Sequence, residues 1–261
     1  MSSFDKSEYV HGVFTKIADS YDLMNDLESL RMHRTWKARL VRELGSAEPE
    51  RILDVACGTG DVAILLAKAN PDAEVIGLDF NEDMLCVARN RAARELPLSF
   101  VVEVGDAEGD CVENRAARAR TTNNLTLTLG DAMNLAYENE SFNAVSISFG
   151  LRNMPDYAVV LQEIYRVLKP GGRFCCLEAS YPTNTLVLPP FKLYFKHWLP
   201  VLGKLIVKSP EEYAWLNTST EAFLTKDELV ELMKQTGFEQ TSYTSFLYGA
   251  AALHRGTKVL A

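Results

Sequence analysis

Apolar residues recur at helical spacing through the first part of the chain. Val13, Ile17, Tyr21 and Met24 fall on one helical face, and Trp36, Leu40 and Leu44 continue the stripe, so residues 11–44 read as helices. The period then changes. RILDVAC (51–57) is a compact apolar run of strand length, and GTGDVAILLAKA (58–69) opens a helix. EVIGLDF (74–80) reads as a second strand and NEDMLCVARNRAARE (81–95) as a second helix. LTLTLGDA (125–132), FNAVSISFG (142–150) and GRFCCLEAS (172–180) are further strands. Between the last two, PDYAVVLQEIYRVL (155–168) is a helix, closed by the stop chemistry of Lys169, Pro170 and Gly171. The tail, 226–258, reads as a helix and two strands joined near Tyr248 and Gly249. Strands alternating with helices predict an α/β architecture: a mostly parallel sheet covered on both faces, closed by an antiparallel edge.

One irregularity interrupts this alternation. NRAAR occurs at 90–94 and again at 114–118, and GDA follows each copy, at 105–107 and 130–132. The pair reads as a local tandem duplication. Only the second copy runs on into NLAYENESFNAV and the next strand. Asp131 is therefore taken as the functional copy, and residues near 105–123 as an inserted surface excursion.

Composition narrows the class. Of 261 residues, 47% are apolar and 24% charged, enough to bury a sizeable core. The net charge of -8 repels bulk nucleic acid, so no nucleic-acid partner is expected. MSSFDKSEY at the start has charges and no apolar centre, unlike a signal peptide. No run of about twenty apolar residues suits a spanning helix. The five cysteines, Cys57, Cys86, Cys111, Cys175 and Cys176, have no CxxC spacing. They read as reduced thiols of a cytoplasmic protein without a structural metal, with Cys175 and Cys176 on opposite faces of a strand.

The chemistry concentrates at the first strand–helix junction. Gly58 and Gly60 flank Thr59 there, where glycine permits a tight turn and close approach of a ligand. Asp79 ends the next strand, where its carboxylate can accept bonds from both hydroxyls of a ribose. Gly58-Thr59-Gly60-Asp61-Val62-Ala63 also satisfies the dinucleotide fingerprint G-x-G-x-x-A. Charge separates the two readings. Asp54 and Asp61 flank the loop and would face a pyrophosphate unfavourably. They suit the ammonium and sulfonium of S-adenosylmethionine, although an acid in the first turn of a helix also has a purely structural use. Asp131, with the backbone of Ala132, is placed to read an adenine edge or simply to cap the next turn.

At longer range VFTKIADSYDLMND, MHRTWK, LDVACGTGD, GLDFNEDML, SFGLRNMPDY, RVLKPGGRF, LEASYP and GAAALHRG occur in this order. Together they resemble the menaquinone and ubiquinone biosynthesis C-methyltransferases over about residues 10–258. FGLRN and YDLMN are the specific motifs. PDY after FGLRN, CLEAS and EEYAWLNTST are more similar to the demethylmenaquinone branch than to the ubiquinone branch. The resemblance implies a class I S-adenosylmethionine-dependent methyltransferase fold, Rossmann-like, with seven strands. It implies S-adenosylmethionine as donor and a prenylated quinol as acceptor. The organisation expected is a helical cap at 1–45 and a methyltransferase domain at 46–261 with a substrate lid at 183–224. Thr59, Asp79, Asp131 with Ala132, and Ser148 fall on the family's cofactor-contacting positions. The alternatives are a ubiquinone precursor or another small molecule as acceptor.

Such a reaction needs a ring carbon aligned with the methyl and sulfur, and a stabilised phenolate. Gly150-Leu151-Arg152-Asn153 follows a strand at the end where open α/β sheets bind ligands. There Arg152 is expected to hold the phenolate electrostatically and Asn153 to bond a quinol oxygen. His33 is the candidate base or a packed helical residue. Tyr21 and Asp22 suit a lid over the cofactor or a structural role. Residues 186–208 combine Phe191, Phe195, Trp198 and Leu202 at helical spacing with Lys192, Lys196, Lys204 and Lys208. That pattern suits transient contact with a membrane surface, or a cap helix burying its aromatics.

Overall fold

The computed structural model describes residues 10, 12, 13, 15, 26, 29, 31–45, 48–96, 102–104, 124–182, 188–193 and 218–260. Helix α1 (His33–Gly45) leads into strand β1 (Arg51–Val55), α2 (Asp61–Ala69), β2 (Glu74–Asp79) and α3 (Glu82–Glu95). Strands β3 (Val102–Val104), β4 (Leu125–Leu129) and β5 (Phe142–Ser148) follow, then α4 (Tyr157–Val167) and β6 (Leu168–Ala179). A short α5 (Leu188–Leu193) precedes α6 (Lys226–Thr236), β7 (Phe238–Phe246) and β8 (Ala251–Lys258). One sheet joins all the strands in the order β3-β4-β2-β1-β5-β6-β8-β7. β8 is antiparallel to both neighbours, and the other pairings are parallel.

The central strands β1, β2 and β5 are buried along nearly their whole length because helices cover both faces. In β1, Ile52 joins one core with Trp36, Leu40 and Leu44 of α1 and Ile64 of α2. Leu53 and Val55 join the other, with Leu161 and Ile164 of α4 and Leu229 and Met233 of α6. Cys175 and Cys176 divide between the same two cores, as alternation along a strand requires. Helix starts are marked by side-chain caps. Asp156 accepts from Ala158 and Val159 amides at α4, and Thr225 with Glu228 forms a capping box at α6.

Three expectations need adjustment. The expected seven-stranded sheet is present, and it carries an eighth, short strand at its edge. β4, from the second copy of the duplication, pairs with β2, and Val102–Val104 of the first copy adds a parallel edge strand outside it. Residues 105–123 lie outside the described residues. Secondly, Lys169-Pro170-Gly171 does not form a separating loop. β6 begins at once at Leu168, and these residues are absorbed as an irregularity in its pairing with β5, with Gly171 at φ 76°. Thirdly, Cys57, Cys175 and Cys176 are free thiols, but Cys86 is disulfide-bonded.

Candidate active site

Parallel strands all end on one side, and their following loops meet there. A cavity of about 250 Å³ opens at the ends of β1, β2, β4 and β5. Its walls come from Ala56 and Gly58, from Leu78–Phe80, from Gly130–Met133, from Ser148–Gly150 and from Asn153–Pro155.

Backbone shape comes first. Gly58 and Gly60 are left-handed, at φ 54° and 78°, and Gly60 caps α2. A Cβ on Gly60 would sit 3.0 Å from Ala88 Cβ, so glycine there lets α2 approach α3. A Cβ on Gly58 would meet only Met84 Cε at 3.8 Å, so it would project into the cavity instead. Ala56 (φ 53°) and Phe149 (φ 56°) are also left-handed, although neither is glycine, and both line the cavity. Such strain survives where the surroundings impose it, and it concentrates at binding sites. Here a Cβ on Gly150 would lie 2.7 Å from Ala56 Cβ, so the loops after β1 and β5 touch directly.

Asp79 is oriented by two backbone amides. Gly58 N donates to Oδ2 at 2.7 Å and Asn81 N to Oδ1 at 3.0 Å. The carboxylate thus faces the cavity while tied to the glycine loop. Asp54 lies behind the loop and is 1% exposed. Ser146 Oγ donates to its Oδ1 at 2.6 Å, and Oδ2 has no hydrogen-bond partner among the described residues. Burial pushes its pKa up to about 7; the Ser146 bond and Lys37 lower it, and Asp79 and Asp61 add to the rise. Ser148 Oγ, at the end of β5, is likewise buried without a partner among the described residues, and Ser148 lines the cavity. Asp131 and Ala132 also line it, and Asp131 Oδ1 accepts from Met133 N at 2.8 Å, closing the turn after β4. Thr59 is buried in the loop.

Asp61 differs from the sequence-based expectation. Its carboxylate binds Lys37 Nζ at 2.6 Å and Arg91 at 2.7 Å. Burial raises its pKa, but the two cations outweigh burial and hold it below the usual carboxylate range. Its charge is already compensated, so it ties α1 and α3 to the start of α2 and offers little field to a ligand. Arg152 is also engaged. It is 3% exposed and forms an ion pair with Glu178, itself 1% exposed. Arg152 also donates to the Phe149 carbonyl at 2.7 Å, and its own amide donates to Glu178 at 3.1 Å. Instead of presenting a cation to the cavity, the pair locks the turn at Leu151–Asn153 against β6. Asn153 does line the cavity, with Nδ2 3.3 Å from the Phe149 carbonyl.

His33 stands apart from this group. It is buried in the first turn of α1, with Nδ1 2.8 Å from Ser29 Oγ, and does not line the cavity. Burial and Lys37 push its pKa down to about 4, which leaves a weak base. Tyr21, Asp22 and most of 183–224 lie outside the described residues. Reasoning from sequence missed Lys37, Arg91 and Glu178 as partners. A signal for Glu178 existed: a lone carboxylate inside the apolar run FCCLEA demands a buried cation.

The sequence model of the ubiE/COQ5 methyltransferase family matches residues 2–109 and 98–258, two stretches that overlap within the repeated region. The chain belongs to that family. Among its relatives, demethylmenaquinone methyltransferase of Staphylococcus haemolyticus is 42% identical over 254 residues, 97% of this chain and 95% of the relative. The enzyme of that name from Staphylococcus saprophyticus is 41% identical over 254 residues, 97% of each chain. The fold is that of class I methyltransferases. An S-adenosylmethionine-dependent methyltransferase of Thermotoga maritima, a possible histamine N-methyltransferase, superposes with a TM-score of 0.58 at 20% identity. That match covers 95% of this chain and 98% of the other. A putative S-adenosyl-L-methionine-dependent methyltransferase of Methanococcus maripaludis gives 0.57 at 17% identity, covering 95% and 94%.

Proposed function

We propose that the protein transfers the methyl group of S-adenosylmethionine to a ring carbon of demethylmenaquinol, giving menaquinol. The observation that carries this reading is full-length kinship with demethylmenaquinone methyltransferases around a cavity that fits the donor. The fit is one of charge and shape. Gly58 leaves room where any side chain would intrude. The orphaned Oδ2 of Asp54 gains most from a cationic neighbour, whereas a pyrophosphate would face Asp54 and Asp79. When bound, S-adenosylmethionine supplies an electrophilic methyl on a sulfonium.

This chain's residues do the rest. Asp79 accepts the ribose hydroxyls, and Asp131 with the Ala132 backbone faces the adenine edge. Gly58, Thr59 and Gly60 carry the backbone around the donor. Asp54 offsets its positive charge, and Ser148 offers a hydroxyl at the end of β5. Asn153 presents an amide to an acceptor oxygen. Arg152 acts through position: paired with Glu178, it holds the turn that aims Asn153. The attacking ring carbon gains electron density when a quinol hydroxyl ionises, and a cavity that excludes water favours in-line alignment. Residues 1–45 serve as a cap, residues 183–224 as the lid, and residues 186–208 as a transient contact with the membrane that holds the substrate.

The test is direct. Purified protein is incubated with S-adenosylmethionine and a short-chain demethylmenaquinol under reducing conditions, and the quinones are weighed by mass spectrometry. Gain of one ring methyl is expected. Methylation of a ubiquinone precursor instead, with demethylmenaquinol untouched, would sink the reading.

A further inference from the structure

Asp54 of β1 and Ser146 of β5 stand in register and share the 2.6 Å hydrogen bond. Side chains two positions apart on a strand face the same way. Ser148 therefore lies on the face of Ser146, about 7 Å further along β5, and it lines the donor cavity. Asp54 is thus one layer beneath that cavity. An oxygen in each layer, Asp54 Oδ2 and Ser148 Oγ, is buried without a hydrogen-bond partner among the described residues.

The groups around Asp54 leave it no counter-charge of its own. Asp79 at the end of β2 and Asp61 at the start of α2 are two further carboxylates, and both disfavour its charge. Lys37 of α1 is the cation that favours it. That ammonium, however, binds Asp61 at 2.6 Å, and Arg91 of α3 binds the other Asp61 oxygen. The Cys57 thiol in the loop stays neutral, because burial pushes its pKa well above the usual value. A carboxyl that is 1% exposed, with one hydroxyl donor and two like charges nearby, is most stable with its proton on. Its pKa of about 7 has the same cause.

Donor and product differ in the one feature to which such an acid responds. S-adenosylmethionine has a cationic sulfur. Once the methyl has left, the sulfur of S-adenosylhomocysteine is a neutral thioether. The ammonium and carboxylate of the amino-acid end are common to both. At the effective dielectric of a protein interior, a unit charge within about 10 Å shifts an ionisation equilibrium by on the order of tenfold. The sulfonium therefore favours an ionised Asp54, and the thioether does not.

We propose that Asp54 is the residue by which the site tells donor from product: it gives its proton to solvent when the sulfonium binds, and takes one back once the methyl, and the positive charge with it, has left. The ionised acid attracts the donor, and the protonated acid gives the product no such hold. This rests on the donor reading above and is independent of which acceptor is methylated.

The test is calorimetry with S-adenosylmethionine, S-adenosylhomocysteine and sinefungin, an analogue in which a carbon bearing an ammonium replaces the methylated sulfur. Titrations at about pH 6.5 in buffers of low and high ionisation enthalpy count the protons exchanged. Kd values are followed from pH 5.5 to pH 7.5, below the titration of the ligand amines. Wild type should release about half a proton or more with S-adenosylmethionine or sinefungin, and clearly less with S-adenosylhomocysteine. The preference for donor over product should rise by about fivefold across this range. Asp54→Asn still accepts from Ser146 but cannot ionise. It should lose about tenfold of that preference, keep what remains flat with pH, and exchange equal numbers of protons with all three ligands. A merely structural Asp54 would weaken the three ligands alike. Ser146→Ala removes the bond that lowers the Asp54 pKa, so it should move maximal proton release to higher pH. Equal release with donor and product by wild type overturns the proposal, as does a pH-dependent preference that survives in folded Asp54→Asn. If Asp54→Asn does not fold, Ser146→Ala decides, and an unmoved maximum overturns it. A wild type that binds none of the ligands overturns the donor reading as well. The proton difference intact in a protein that never methylates demethylmenaquinol would uphold Asp54 and overturn only the acceptor.

Discussion

Asp79 and Asp54 are both buried carboxylates near one loop, yet their surroundings give them opposite uses. Asp79 receives two backbone amides, which aim it at the cavity. Asp79→Ala removes the ribose acceptor and should weaken S-adenosylhomocysteine binding by about 1.5–3 kcal/mol, the scale of hydrogen bonds to a charged group. Calorimetry on a folded variant checks this, and unchanged affinity would remove Asp79 from the site. Asp54 receives one hydroxyl, and burial pushes its pKa up from 3.8 to about 7. Below the unfolded value both states hold the proton. Between the two values the unfolded chain loses it and the folded chain keeps it, so this residue costs stability as pH rises to about 7, and no further above. His33 and His254, held near 4 by burial, act in the opposite sense, because the unfolded chain takes protons that the fold refuses as pH falls below 6.5. Comparing wild type with Asp54→Asn isolates the carboxylate. The variant should gain stability relative to wild type between pH 5 and pH 8, by up to a few kcal/mol in urea unfolding. Parallel pH profiles for the two proteins would show that Asp54 keeps an ordinary pKa. The sulfonium reading still rests on Asp54, whereas Asp61 drops out of it because Lys37 and Arg91 already compensate its charge, and Arg152 is held by Glu178 instead of facing a phenolate. Lys37 and Arg91, 24 and 30 positions from Asp61, were hidden in the sequence, whereas Glu178 announced a buried carboxylate but not that its cation stands 26 positions away at Arg152.

Elements were legible wherever burial is two-sided. β1, β2 and β5 are nearly all buried, so they appear as continuous apolar runs that no solvent-facing helix would show. α4 and α6 announced themselves by period and caps. What the pattern did not reveal was the edge. Val102–Val104 is three residues long, and it extends the sheet beyond the strand that its own duplicate supplies. Only the inner strand touches β2, and its following turn reaches the cavity through Asp131 and Ala132. The two copies should therefore be unequal in function. Asp131→Ala should weaken S-adenosylhomocysteine binding measurably, and Asp106→Ala should leave it as in wild type. The reverse ranking by calorimetry would mean that the first copy occupies the place beside β2 in solution.

At the scale of the molecule, sheet polarity gathers the chemistry at one end. Seven strands run the same way, so the donor cavity and the end of β6 lie on the same side of the sheet. No described helix is long and apolar enough to cross a membrane. A long-chain demethylmenaquinol nevertheless resides in one, and the body carries a net charge of -8. The proposed membrane contact would then use a local surface whose charge opposes that of the whole. Residues 186–208 hold Lys192, Lys196, Lys204 and Lys208 without an acid, together with Phe191, Phe195 and Trp198. Leu193, which ends α5, is 58% exposed. Each lysine close to an anionic leaflet contributes on the order of 1 kcal/mol, and insertion of aromatic rings adds removal of apolar surface from water. Weak binding to anionic vesicles follows, and it should fade as salt shortens the range of the attraction. Co-sedimentation of the wild type with phosphatidylglycerol vesicles, at low and high salt, is compared with a variant carrying glutamine at the four lysine positions. The variant should lose most low-salt binding, and its activity on a short-chain soluble quinol should survive, because donor binding and methyl transfer depend on the sheet end. Equal binding of a folded variant at both salts would make the segment merely a cap, and the route of the quinol to the donor cavity would then have to start from solution.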